Sequence, residues 1–303
     1  MSLASPIWSH VAAEYAIPAQ APSLQEAYAY CERLARTHYE NFSVATWFLP
    51  RRLRQHFFNV YAYCRISDDL GDETGNPQTS LKLLDEWQSE LNACYAGTPR
   101  HPVFVALAGT VREFLIPQHE FSDLLTAFRQ DQTVTRYETF DDLLGYCHNS
   151  ANPVGHLVLY LCGYRDPERQ QLSDYTCTAL QLANFWQDVS VDYEKGRIYL
   201  PVEDMRRFGV SEADLANKNN SKAFREMMRF EVERARDWFE RGLPLADKVD
   251  RELAIDIELF TRGGQEIVNA IERQDYAVLG RRPVISRSRK LALVARAALH
   301  KVI

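Results

Sequence analysis

Apolar positions along this chain recur at intervals of three and four, not two. That periodicity predicts helices over residues 22–39, 50–73, 79–96, 101–115, 119–129, 137–149, 153–163, 170–194, 220–243, 251–276 and 287–301. Alternating β-branched runs closed by tight turns are scarce, and glycine and proline number only 13 each in 303 residues, so little in the sequence favours strands. Such elements predict an all-α bundle whose central helices are apolar on several sides. No low-complexity linker, repeat or composition change cuts the chain. A single domain over residues 1–303 is therefore expected, with residues 1–20 irregular and 281–303 forming a basic C-terminal helix.

Two polar ladders interrupt the apolar pattern. The first reads Tyr61-Ala-Tyr-Cys-Arg65-Ile-Ser-Asp68-Asp69-Leu-Gly-Asp72-Glu73, and the second Gln181-Leu-Ala-Asn184-Phe-Trp-Gln187-Asp188-Val-Ser-Val-Asp192-Tyr-Glu-Lys195-Gly-Arg197. Asp68 and Asp72 are four residues apart, as are Asn184, Asp188 and Asp192, so each set lines one helical stripe. Gly71 with the Thr74-Gly75-Asn76-Pro77 run is expected to stop the first helix, and Gly196 the second. Carboxylates at a helix C-terminus oppose its dipole and repel one another. Two solvated acidic faces would explain either ladder alone. Two matched ladders, each with an arginine, point instead to stripes that face each other around a hard cation. Mg2+, with Mn2+ as a substitute, suits a few carboxylates completed by water and phosphate oxygens.

The pattern Tyr-x-x-x-Arg-x-x-Asp-Asp-x-x-Asp, paired with Gln-x-x-Asn-x-x-x-Asp-x-x-x-Asp and followed by Arg197-Ile-Tyr-Leu-Pro201, resembles the squalene and phytoene synthase family of head-to-head prenyl synthases. The resemblance runs from about Phe42 to about Lys290. It implies an isoprenoid-synthase-type helical bundle with a central apolar cavity and an isoprenoid diphosphate substrate. It implies metal ligation by Asp68, Asp72, Asn184, Asp188 and Asp192, and diphosphate contacts from Ser43, Arg65 and Arg197. Ser43 would look the same as an N-cap or turn residue. Tyr61, two turns before the first carboxylates, and Tyr146, which opens Tyr146-Cys-His-Asn-Ser-Ala-Asn152-Pro153, are expected near the reacting centre. Other aromatics, such as Phe57, Phe185 and Trp186, serve equally well as core.

Departures from the family pattern narrow the reading. Gln187 stands where many members have an arginine, and Ser150-Ala151-Asn152-Pro153 where Val-Ala-Gly is common. Both changes resemble the hydroxysqualene synthase branch of bacterial hopanoid pathways. There, presqualene diphosphate and water give hydroxysqualene and diphosphate. Asn152 or Gln187 is the candidate for holding the water, although Asn152 is equally well explained as a turn residue before Pro153.

Charge is uneven. The last 23 residues hold seven Lys or Arg and no acid, leaving 28 basic against 41 acidic residues in the other 280. That tail has three readings: contact with an anionic membrane surface, approach of its basic end to substrate phosphate, or a solvated terminus. Nucleic acid is excluded as a partner by the acidity of the rest, while pathway enzymes remain candidate partners. Six cysteines inside predicted helices lack CxxC pairing, so neither zinc nor a disulfide framework is expected. With no secretory leader and no membrane-spanning run, a cytoplasmic setting is expected, with the inner face of the cytoplasmic membrane as the site of any peripheral contact.

The leading expectation is thus a metal-dependent carbon-oxygen lyase. The close alternative is a head-to-head prenyl transferase making presqualene diphosphate, squalene or phytoene. An all-helical nucleotide pyrophosphohydrolase would need acidic residues closer in sequence, and a noncatalytic prenyl-lipid-binding subunit would have no need of intact acidic ladders.

Overall fold

The structure is a computed structural model that describes residues 15–37, 51–289 and 293. Ser43 and most of the helix expected over 287–301 lie outside the described residues. Those described fold into twelve α-helices and one 3-10 turn, without a strand. In chain order the helices are α1 (Leu24–Thr37), α2 (Arg54–Asp72), α3 (Pro77–Ala96), α4 (Pro102–Phe114), α5 (His119–Gln130), α6 (Phe140–Ser150), α7 (Asn152–Leu161), α8 (Pro167–Glu194), α9 (Val202–Phe208), α10 (Glu212–Ala216), α11 (Lys222–Gly242) and α12 (Arg251–Arg273). The 3-10 turn spans Leu243–Lys248. Among the described residues no helix is long and apolar enough to cross a membrane.

Caps explain where the boundaries differ from the periodicity. Thr139 and Asp142 close a capping box, so α6 begins three residues later than expected. Asp166 accepts from the Arg169 amide and Pro167 occupies the first turn, which starts α8 earlier. Helices α9 and α10 and the 3-10 turn were not expected. Ser211 and Asp214 form a capping box that signals α10 in the sequence, but the helix is too short for periodicity to register. Gly71 does not stop α2, which continues to Asp72. A Cβ at this position would meet the Phe128 side chain of α5 at 3.4 Å, an ordinary contact. Helix α2 closes on Glu73 as its C-cap, directly ahead of the Thr74-Gly75-Asn76-Pro77 run, where Asn76 caps α3 ahead of Pro77.

The described residues gather into two compact units, one within residues 1–133 and 156–165, the other within 134–155 and 166–303. In the first, α2 packs against α1, α3, α4 and α5. Its polar residues are satisfied inside that core. Asn59 donates to the Ala106 carbonyl at 3.2 Å, Tyr63 to the Phe121 carbonyl at 2.8 Å, and the Trp87 indole to Ser67 Oγ at 2.9 Å. In the second unit, α8 packs against α6, α10, α11, α12 and the 3-10 turn. Small residues permit this density: a Cβ on Gly155 would lie 2.2 Å from Ser173 Oγ and 2.6 Å from Cys177 Sγ of α8. Each unit therefore has one central helix, and each central helix ends in one of the acidic ladders.

The second unit also buries a charged trio. Arg234 Nη1 donates to Asp204 Oδ2 at 2.8 Å and to both Glu231 oxygens at 3.1 and 3.2 Å, with Phe140 and Phe230 against its guanidinium. Glu231 is fully buried. Burial first, then the neighbouring Asp204 with which it shares a proton, pushes its carboxyl up to about 8. One cation thus balances one carboxylate, and Glu231 keeps its proton. Between the ordinary 4.5 and about 8, the folded chain holds a proton that the unfolded chain has released, so stability falls as pH rises through that window. Denaturant midpoints measured from pH 5 to 8 should show this decline in the wild type and a shallower one in Glu231→Gln.

Candidate active site

The first acidic ladder occupies the last two turns of α2, where the residues at successive turns divide by burial. Asp69 faces the core and is 7% exposed. Both its oxygens accept from Arg65, Nε at 3.1 Å to Oδ2 and Nη2 to Oδ1. Arg65 Nη1 also lies 3.5 Å from Asp68. This bidentate pair one turn apart leaves Asp68 and Asp72 as the outward carboxylates of the stripe, Asp68 half exposed and Asp72 exposed. Desolvation in its recess, reinforced by Asp72, pushes the Asp68 carboxyl up to about 6 despite Arg65. Tyr61 is half-buried two turns earlier, and burial raises its phenol.

The second ladder ends α8. Asn184 is exposed, Asp188 and Asp192 are half-buried, and Gln187 is buried. Lys195 closes the helix and Gly196 takes the left-handed conformation, φ 83°. The Arg197 amide then returns to the Asp192 carbonyl at 2.8 Å. This turn is fastened from outside: Arg136 Nη1 donates to the Gly196 carbonyl at 2.8 Å, while Nε and Nη2 grip Glu212 of α10 at 2.7 and 2.9 Å. Backbone bonds from Ile198 to Thr135 and from Val202 to Tyr137, both 2.9 Å, tie the same segment to the irregular stretch before α6.

Behind this ladder lies a box of four aromatic rings. Phe185 stacks on Tyr199 at 3.9 Å, and Tyr146 lies 5.6 Å from Tyr137, 5.8 Å from Tyr199 and 6.1 Å from Phe185 between ring centroids. Asn152 is buried at the start of α7, its Oδ1 accepting from Thr178 of α8 at 3.1 Å. Sequence reading missed Tyr137 and Tyr199, although Tyr199 sits inside the quoted Arg197-Ile-Tyr-Leu-Pro201 string. It also missed Arg282. This arginine reaches back to α8, donating through Nε and Nη2 to the two oxygens of Asp188, with 2.9 Å to Oδ2, and through Nη2 to Gln187 Oε1 at 3.1 Å.

Among the described residues no three carboxylate, histidine or cysteine side chains converge as a metal cage. Each ladder instead offers two outward acids at one turn's spacing, an all-oxygen set. Such a set fits a hard cation that keeps water and takes phosphate ligands. The raised Asp68 carboxyl shows the same need for positive charge beside Asp72.

Comparison with known proteins agrees with this architecture. Residues 19–289 match the squalene/phytoene synthase family. The chain is 32% identical over 291 residues to a phytoene synthase of Arthrospira platensis, covering 90% of this chain and 93% of that protein. It is likewise 32% identical over 299 residues to a 15-cis-phytoene synthase of Synechococcus elongatus, covering 93% and 95%. A crystal structure of squalene synthase HpnC from Alicyclobacillus acidocaldarius superposes with TM-score 0.80 at 43% identity, covering 84% of this chain and 95% of that one. A ligand complex of a dehydrosqualene synthase gives TM-score 0.80 at 28% identity, covering 92% and 98%. Helical fold and paired acidic ladders define an isoprenoid-synthase type of protein. This chain belongs to the squalene/phytoene synthase family of enzymes.

Asp68→Asn should stabilise the protein at pH 7 by about 0.5 kcal/mol, a like-charge pair screened by water. Because the Asp68 carboxyl is raised, the wild type loses stability as pH climbs from about 4 to about 6. The variant's advantage should therefore vanish below pH 4 and be complete above pH 6, as read from urea midpoints.

Proposed function

We propose that this enzyme converts presqualene diphosphate and water to hydroxysqualene and diphosphate. The observation that carries the reading is Asn152, a buried amide one helical break away from Tyr146 where the common family pattern has a small apolar residue. With its Oδ1 taken by Thr178, the Asn152 amide N–H groups are the donors that would hold a water oxygen. Gln187 is less suited to that task, because its amide is committed to Arg282 and Pro283.

Asp68, Asp72, Asn184, Asp188 and Asp192 are the residues that would hold Mg2+. The bound ion supplies Lewis-acid neutralisation of the diphosphate as its bond to carbon breaks. Arg197 would orient the departing oxygens through planar, bidentate geometry, and Arg65, whose Nε and Nη2 are held by Asp69, through Nη1 alone. Tyr61 and the Tyr146 box stabilise positive charge on the hydrocarbon by ring faces and exclude stray water. The held water then forms the new carbon-oxygen bond, and its proton passes to the departed diphosphate. Substrate, water, alcohol and diphosphate balance without an oxidant or reductant.

The phytoene synthase and squalene synthase names of similar proteins favour a second reading, condensation of two prenyl diphosphates. Incubation of purified protein and Mg2+ with presqualene diphosphate and with farnesyl diphosphate, in separate tubes, decides between them by product mass. Hydroxysqualene from the first and no condensation of the second is the expected result, while condensation of farnesyl diphosphate would establish the transferase. Asn152→Gly should cut the hydroxylated fraction several-fold relative to unhydroxylated hydrocarbon. An unchanged product ratio would remove Asn152 from water capture.

A further inference from the structure

The chain after α12 returns along the second acidic ladder and is pinned there by its backbone. Ser190 Oγ donates to the Leu279 carbonyl at 2.7 Å, Asn220 accepts from the Leu279 amide at 3.2 Å, and Gln274 donates to the Arg281 carbonyl at 3.0 Å. From that pinned strap Arg282 reaches Asp188. The fork on Asp188 fixes the guanidinium against that carboxylate, but with Asp188 as sole partner the two side chains could still swing together. Gln187 removes that freedom. Its Oε1 accepts from Arg282 Nη2 at 3.1 Å, and its Nε2 donates to the neighbouring Pro283 carbonyl at 2.6 Å. Gln187 is 7% exposed, so both ends of its amide need such partners. An arginine at position 187 would meet Arg282 with like charge and could not accept from it.

Electrostatics say what this arrangement does. Asp188 and Asp192 repel at one turn's spacing and oppose the dipole at the end of α8. Arg282, with both carboxylate oxygens of Asp188 engaged, supplies the missing charge. A divalent ion that takes Asp188 must dislodge that fork. We infer that Gln187 is a positioning residue, which aims Arg282 at Asp188 so that the metal-free ladder carries its own counter-cation, exchanged for a divalent ion on loading. The inference rests on the reading of Asp188 as a metal ligand. It assigns to Gln187 a task carried out through Arg282, not through water.

The test is Mn2+ binding, read from the free-ion electron paramagnetic resonance signal, in the full-length protein without substrate. Asp188→Asn first checks the ligand. If it binds Mn2+ as well as the wild type, or if the wild type binds none, the ligand reading and the inference both fall. With that ligand established, Arg282→Gln should bind Mn2+ about three- to tenfold more tightly, because the competing cation is gone. Gln187→Met, which keeps volume and removes both amide bonds, should tighten binding by a smaller factor. In the Arg282→Gln background, Gln187→Met should change nothing. Weaker binding by Arg282→Gln, or a Gln187→Met effect equal in both backgrounds, would overturn the positioning role while leaving the ligand reading intact. Far-UV circular dichroism on each variant confirms the helical fold, and Arg282→Lys, which keeps charge without the fork, should fall between wild type and Arg282→Gln.

Discussion

Carboxylates crowded at the end of a helix demand a positive charge, and much of the local structure answers that demand. Repulsion between two acids a turn apart is small, about 0.2–0.5 kcal/mol per pair. It adds, however, to an unfavourable dipole and to partial desolvation. Each ladder meets the difficulty with an arginine of its own. In the first, Arg65 comes from the same helix, one turn before Asp69. In the second, Arg282 arrives from 94 residues farther along the chain. The first solution is local and binds a buried acid; the second is imported and binds an acid of the outward stripe.

Placement on the central helix of each unit gives these acids a rigid base. Helix α2 is surrounded by four others, and α8 by helices on several sides. Their backbone positions are fixed by cores containing Trp87, Tyr63 and Phe121 in one unit and Trp186, Phe224 and Phe239 in the other. A side chain on such a helix moves only by rotamer. That rigidity would suit the proposed reaction, in which a diphosphate leaves along one direction while ring faces stay fixed around the charge left behind.

The main helices and both ladders were legible because 3.6-residue periodicity and i, i+4 spacing are local properties of the sequence. The division of labour within the first ladder was not. Asp68, Asp69 and Asp72 look alike in sequence, and only packing shows that Asp69 turns inward to Arg65. Arg282 was visible as part of a basic tail, yet its pairing depends on where the chain goes after α12, which no local pattern encodes. Tyr137 and Tyr199 escaped for a related reason, since each lies in an irregular stretch whose register is set by bonds between distant segments. Gly71 falls inside the last turn of α2, and the helix ends one residue later, ahead of the Thr74-Gly75-Asn76-Pro77 run that the sequence marks as its stop.

Arg136 carries a consequence of its own. Its guanidinium is partly open to solvent, yet it clasps the carbonyl just ahead of Arg197 and anchors to a mostly exposed Glu212. The bend that orients Arg197 is thus secured by a rivet on the outside of the molecule, not by a keystone in its interior. Dissolved electrolyte, which barely reaches the deep packing of α8, acts directly on that fastening.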